Sequence, residues 1–92
     1  MPEPALTRTV TVANLAGLHM RAAAMIATEA RKFAARVVIA RAAQEVDATD
    51  MLQVMTLGAG QGEQLSLTGF GNEAEAALEA IEQLFLRKFD ED

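Results

Sequence analysis

Alternating and continuous apolar residues predict four β-strands. Residues 7–13 carry valines on one face and threonines on the other, which is typical of a half-buried strand. Residues 37–40 form an uninterrupted apolar run, and residues 43–47 form a weaker one, so we expect a buried strand followed by an edge strand. Residues 64–68 alternate again with their leucines inward. Two glycines that follow are expected to end this last strand, Gly69 and Gly71.

Apolar residues at helical spacing predict two long helices and a short one. The first helix spans residues 20–32, and its stripe is rich in alanine: Ala23, Ile26, Ala27, Ala30 and Phe33. Residues 50–56 are expected to form one or two turns, with Asp50 as N-cap and Gln53 in the capping-box position. The last helix is predicted to begin after Asn72 as N-cap, with Glu75 in the box position. Its stripe is Ala77, Leu78, Ile81, Leu84 and Phe85.

The element order that these patterns predict is βαββαβα, with a short middle helix. Strands and helices in this order indicate an α+β fold, in which one four-stranded sheet carries its helices on a single face and buries both helical stripes. We expect one domain over residues 1–92. Residues 1–5 hold two prolines and are predicted to be a flexible lead, and the charged residues 90–92 are predicted to fray.

Composition narrows the classes of function. The net charge of -5 argues against binding to nucleic acid, which requires clustered Lys and Arg. The sequence has no cysteine and one histidine, so neither a disulfide nor a protein-bound metal centre is expected. No apolar stretch reaches the roughly 18 residues of a membrane span, and we expect a cytoplasmic protein that does not insert into membranes. Gly58, Gly60 and Gly62 are interpreted as turn glycines rather than a dinucleotide fingerprint, and no cofactor is expected.

The candidate chemistry lies at the start of the first helix. If His19 is the N-cap, the free backbone N–H groups of Met20, Arg21 and Ala22 point at whatever binds there, and the helix dipole favours an anion over a protonated imidazole. The Arg21 guanidinium can meet phosphate oxygens in a bidentate manner. This arrangement suits reversible phosphorylation of the imidazole. From spacing alone, a simple capping histidine and a solvated arginine remain open alternatives.

Three stretches carry a resemblance to a known family. Residues 17–24, Gly-Leu-His-Met-Arg-Ala-Ala-Ala, resemble the active-site signature of the histidine-containing phosphocarrier proteins, the HPr family of the phosphoenolpyruvate-dependent phosphotransferase system. Residues 46–58 resemble the second signature of that family, and residues 69–78 resemble its last strand-to-helix junction. The resemblance extends over residues 6–89, which is nearly the whole chain.

The resemblance implies an open-faced β-sandwich of four antiparallel strands with three helices on one side. It also implies that His19 is phosphorylated on Nδ1 by an enzyme I, with phosphoenolpyruvate as the ultimate donor, and that Arg21 neutralises the phosphate. The phosphoryl group would then pass to a histidine of an enzyme IIA-type partner. A monomer is the family expectation. The run Arg-Ala-Ala-Ala is similar to the nitrogen-related branch, so a regulatory relay stands beside sugar transport as the pathway.

Several positions depart from the family pattern. Ala22 stands where the family commonly has proline, Met20 replaces a small residue, and Ala16 replaces a Ser or Asn. Asp50 occupies the position at which many members carry the serine that a regulatory kinase phosphorylates. Asp50 is interpreted as an N-cap. The sharper hypothesis is that its negative charge permanently and partially mimics that of a phosphoserine. Thr49 beside it is a less favoured substitute acceptor.

A methionine-rich patch beside the site is the candidate docking surface. Met51, Leu52 and Met55 cannot all be buried by so short a helix, and Met20 is expected to lie alongside. Ordinary core filling is the alternative for these residues. Two other functions stay open on sequence grounds: a non-catalytic regulatory protein-binding module on the same fold, and a small α+β domain in which His19 is incidental.

Overall fold

The computed structural model describes residues 5–91 and contains the predicted order of elements. These elements are β1 (Leu6–Thr11), α1 (Met20–Ala30), β2 (Arg36–Arg41), β3 (Gln44–Asp47), α2 (Met51–Thr56), β4 (Gln64–Phe70) and α3 (Ala74–Leu86), followed by a 3-10 turn, Lys88–Asp90. Apart from Ala5, the predicted flexible lead lies outside the described residues, as does Asp92. Among residues 5–91, no helix combines the length and apolar character needed to cross a membrane.

The four strands form one antiparallel sheet in the order β1-β4-β2-β3. Side chains alternate between two faces, and the inward positions of the two central strands are almost fully buried: Val37, Ile39, Leu65 and Leu67. The opposite face of these strands is partly exposed. Helix α3 packs against β1, β2 and β4, and α1 packs against α2 and α3. The predicted α+β fold, an open sheet with three helices on one face, is therefore confirmed.

Both predicted helical stripes are buried, with one exception. The α3 stripe is at most 4% exposed throughout, and Ala23, Ile26, Ala27 and Ala30 of α1 are at most 2% exposed. Phe33 lies beyond the end of α1 and is only partly buried, although it packs against the core. The helix ends two residues earlier than predicted because the amides of Arg31 and Lys32 donate to the carbonyls of Ala27 and Glu29 in a tightening last turn.

Gly69 does not end β4, as the sequence had indicated. It pairs with Leu6 and Val37 inside the sheet, and the strand continues to Phe70. A Cβ at Gly69 would lie 3.1 Å from Leu78 Cγ and 3.2 Å from Ala74 Cβ. The glycine is therefore present because α3 packs closely on the sheet at this point, which local turn propensity does not reveal.

The predicted capping of α3 by Asn72 is wrong. The N-cap is Glu73, and its side chain does not cap the helix. Instead, the Glu73 carboxylate accepts a hydrogen bond of 2.6 Å from the Ala34 amide, and the Glu73 amide donates to the Ala34 carbonyl. This exchange ties the helix start to the segment before β2, and such a long-range contact has no signature in the capping-box pattern.

Asp50 is the N-cap of α2, as predicted. Its carboxylate accepts a hydrogen bond of 3.1 Å from the Gln53 amide. The reciprocal half of a capping box does not form, because the Asp50 amide donates to the Asp47 carbonyl. The Gln53 side chain instead accepts from the Asp47 amide at 3.1 Å.

Replacing Asp50 with alanine removes the acceptor for the first turn of α2. We expect the free energy of unfolding to fall by about 1 kcal/mol, the usual loss for an N-cap. Asp50→Ser, which restores a capping oxygen, is the matched control and should recover most of that loss. Urea denaturation measures both values, and an Asp50→Ala variant as stable as the native chain would contradict the capping role.

Candidate functional site

His19 is the N-cap of α1, as predicted from the sequence. Its backbone is extended at φ -75° and ψ -179°, and its carbonyl accepts a hydrogen bond of 2.9 Å from the Ala23 amide. Its ring caps the helix as well, because Nδ1 accepts a hydrogen bond of 3.2 Å from the Arg21 amide. The imidazole is therefore held over the positive end of the helix, where the sequence had placed it.

The hydrogen bonds of the ring define its tautomer. Nδ1 accepts from a backbone amide, so in the neutral imidazole the proton resides on Nε2. Nε2 in turn donates to Oε2 of Glu91. The lone pair of Nδ1 faces the helix start, and the side chain is still 31% exposed. The nitrogen that faces the helix is thus the nucleophilic one.

Glu91 is the site residue that the sequence did not predict. Its side chain is only 11% exposed, and its two oxygens are shared among three donors. Oε2 accepts from His19 Nε2 and, at 2.5 Å, from the guanidinium of Arg21. Oε1 accepts from Asn14 Nδ2 at 3.0 Å. The frayed tail expected over residues 90–92 thus does not describe Glu91, which these three donors hold in place.

Hydrogen bonding favours the ionised form of the Glu91 carboxyl. The bond from Asn14 contributes most to lowering its pKa below the ordinary value for glutamate, and partial burial acts in the opposite direction. The bond from His19 and the charges of His19 and Arg21 add to the lowering. The site therefore contains a carboxylate in contact with the imidazole, the reverse of the bare anion-binding pocket that the sequence predicted.

The loop before α1 is fixed by a buried asparagine and a glycine. Asn14 is fully buried, and its Nδ2 donates to the Gly17 carbonyl at 2.8 Å as well as to Glu91. Gly17 has φ +70°, and a Cβ there would lie 2.7 Å from the Ala59 carbonyl oxygen. The Leu18 amide donates to that same oxygen at 3.0 Å. Position 17 therefore requires glycine for both its conformation and its contact.

The remaining predicted residues fall around this centre. Arg21 is 58% exposed and contacts Glu91 rather than an anion. Met20 and Ala22 occupy the first turn of α1, with Met20 61% exposed and Ala22 fully buried. No group of three or more His, Cys, Asp or Glu side chains able to hold a metal occurs within residues 5–91.

The predicted docking residues divide into two groups. Leu52 is 67% exposed and lies on α2, which packs beside α1. Met51 and Met55 are partly buried and pack against the core, so core filling accounts for part of their surface. Leu15, in the loop before His19, is 76% exposed and was not singled out from the sequence.

The comparisons with known proteins agree with this fold. The family model described as the PTS HPr component phosphorylation site matches residues 6–86. The phosphocarrier protein HPr of Treponema pallidum is 40% identical over 87 residues, which are 95% of this chain and 99% of that protein. The phosphocarrier protein NPr of Shewanella violacea is 41% identical over 86 residues, 94% of each. A crystal structure of HPr-C-His from Thermoanaerobacter tengcongensis superposes with a TM-score of 0.90 at 31% identity, covering 95% of this chain and 98% of that one.

The chain therefore belongs to the HPr family, as the signature residues predicted. It is a phosphoryl carrier of the phosphoenolpyruvate-dependent phosphotransferase system, and its partners are proteins of that relay.

A Gly17→Ala change tests how firmly the loop sets the site. Alanine at this position combines an unfavourable positive φ with overlap onto the Ala59 carbonyl, and we expect a loss of about 2–3 kcal/mol in the free energy of unfolding. Gly58→Ala is the matched control, because Gly58 has a similar φ of +61° and nothing within 4 Å of its added Cβ. It should lose only about 1 kcal/mol. Equal losses in urea denaturation would show that the Ala59 contact contributes nothing.

Proposed function

We propose that His19 is the residue that carries the phosphoryl group, on Nδ1. The observation that supports this is the hydrogen bond from the Arg21 amide to Nδ1, which leaves the proton on Nε2. The Nδ1 lone pair attacks phosphorus, a P–N bond forms, and the bond from phosphorus to the donor breaks. The ring keeps its Nε2 proton and becomes a phosphorylated imidazolium. Transfer to the acceptor reverses these steps and returns the neutral ring.

The first turn of α1 supplies the donors for the phosphoryl oxygens. Once Nδ1 is bonded to phosphorus, the Arg21 amide loses its acceptor on the ring and is free to donate to a phosphoryl oxygen, beside the amides of Met20 and Ala22. Ala22 retains an N–H that proline at the same position would lack. The Arg21 guanidinium, now on Glu91, is long enough to exchange that carboxylate for the phosphoryl group.

The proposed partners are an enzyme I as donor and an enzyme IIA-type histidine as acceptor, meeting a monomeric carrier in the cytoplasm. Met20 and Leu52 are the exposed apolar side chains of the docking patch, and Met51 and Met55 contribute their partly buried edges. Both an HPr and an NPr are among the relatives, so the acceptor belongs either to sugar transport or to a nitrogen-type regulatory relay.

Position 50 cannot be regulated by phosphorylation of a serine, because it is an aspartate. Asp50 has no hydroxyl, and its carboxylate is engaged with the Gln53 amide as N-cap. The neighbouring Thr49 hydroxyl donates to the Asp47 carboxylate at 2.7 Å. We therefore infer that α2 keeps a fixed negative charge in place of a switchable one.

Mixing the chain with phosphoenolpyruvate and an enzyme I tests the site. We expect intact-mass spectrometry to show the gain of one phosphate, lost in acid and absent in His19→Ala. Arg21→Ala should be labelled about tenfold to a hundredfold more slowly, the effect of removing a hydrogen bond to a charged group. The control is Lys32→Ala. It removes another exposed cation, which pairs with Glu29 just after α1, and it should be labelled at the native rate. Full labelling of His19→Ala would refute the assignment.

A second pair of variants tests the docking patch. Leu52 and Leu86 are both 67% exposed, but Leu52 lies on α2, whereas Leu86 is the last residue of α3. A buried charge in an apolar contact is costly, so Leu52→Glu should slow phosphate transfer from enzyme I at least about tenfold, through a higher KM. Leu86→Glu should leave the kinetics unchanged. Equal effects of the two changes would remove Leu52 from the proposed contact surface.

A further inference from the structure

The C-terminal turn after α3 has an uncommon backbone. Lys88, Phe89 and Asp90 have φ values of 54°, 53° and 59°. The left-handed region is unfavourable for each of these three successive non-glycine residues. Such a conformation persists only where the surrounding contacts hold it in place.

Two sets of contacts hold this turn. Phe89 is fully buried, and its ring lies edge-to-face against Phe85 with 4.9 Å between the centroids. The carboxylate of Glu91, two residues on, receives hydrogen bonds from Asn14, His19 and Arg21. The left-handed turn therefore reverses the chain after α3 and directs Glu91 at the start of α1.

Glu91 lies beyond residues 6–86, the segment that the family model matches. The contact with His19 therefore joins a residue outside the matched segment to one inside it. Asn14 anchors the other carboxylate oxygen from within the core. The carboxylate therefore keeps one partner, Asn14, that takes no part in the phosphoryl transfer.

We propose that Glu91 is a positioning residue for phosphoryl transfer by His19. By accepting a hydrogen bond from Nε2, the carboxylate keeps the proton on that nitrogen, leaves the Nδ1 lone pair directed at the helix start, and fixes the plane of the ring. When Nδ1 bonds to phosphorus, the ring gains a positive charge and Nε2 keeps its proton. The carboxylate then lies against that charge and stabilises the phosphorylated imidazolium. This inference rests on the proposed role of His19.

The same carboxylate also competes with phosphate for Arg21. In the unphosphorylated protein the guanidinium is held on Oε2 of Glu91. On phosphorylation the guanidinium moves to the phosphoryl oxygens, and Glu91 keeps Asn14 and the imidazolium as partners. Glu91 therefore holds Arg21 close to the ring before the phosphate arrives.

The single histidine makes the test direct, because all imidazole signals come from His19. In ¹⁵N-edited NMR spectra of the full chain with a neutral imidazole, we expect Nε2 to carry the proton and Nδ1 to be unprotonated. Glu91→Ala should give a mixture of tautomers and a phosphorylation rate at least about tenfold lower, since a hydrogen bond to a charged group is lost. Glu91→Gln, which keeps an acceptor without the charge, should keep the tautomer and still lower the rate.

The matched control is Asp90→Asn, which removes a neighbouring carboxylate that pairs with Arg87. It should change neither the tautomer nor the rate. A native rate in Glu91→Ala would overturn the positioning role while leaving His19 as the carrier. Failure of the native chain to be phosphorylated would instead overturn the proposed function, and the ring signals would then still report whether the Glu91 contact exists. Unchanged ring signals in Glu91→Ala would overturn the contact itself.

Discussion

The hydrogen bond between the Arg21 amide and Nδ1 of His19 organises the functional end of the molecule. A helix start leaves amides without partners, and here one of them is satisfied by the reactive nitrogen itself. The bond orients the ring and reserves its lone pair, and the same amide can then turn to an anion bonded at that nitrogen. For this to work, α1 must begin at one defined residue. The Gly17 loop and the Leu18–Ala59 hydrogen bond ensure that it does.

Sequence pattern predicted the elements because each helix and strand carries a periodic apolar face of its own. The α3 stripe, the N-caps His19 and Asp50, and the strand order along the chain all follow from short-range rules. Gly69 and Asn72 were misread because their roles depend on partners far away in sequence. Helix α3 packs too closely on the sheet to leave room for a side chain at Gly69. Glu73 exchanges hydrogen bonds with Ala34 instead of capping the helix with its side chain.

Glu91 shows the same limit of sequence-based prediction at the functional site. His19 and Arg21 are two residues apart and belong to one motif, so their chemistry is visible in the sequence. Glu91 is 72 residues from His19 and stands in a short acidic tail with no periodicity. Its placement depends on a left-handed turn of non-glycine residues, which propensity rules disfavour. The burial of Phe89 against Phe85 and the hydrogen bonds to Glu91 together account for that turn.

The two ends of the described chain differ in what can be attached to them. β1 runs from Leu6 toward the site, so its first residue lies a strand length away, roughly 20 Å at ~3.3 Å per residue. Glu91, by contrast, is in contact with the imidazole. A tag, dye or surface linkage joined at the Glu91 end of the described chain would be tethered close to the reactive ring and would pull on the turn that holds Glu91. Immobilisation through the amino-terminal side leaves that geometry untouched and is the sounder choice for measuring exchange with partners.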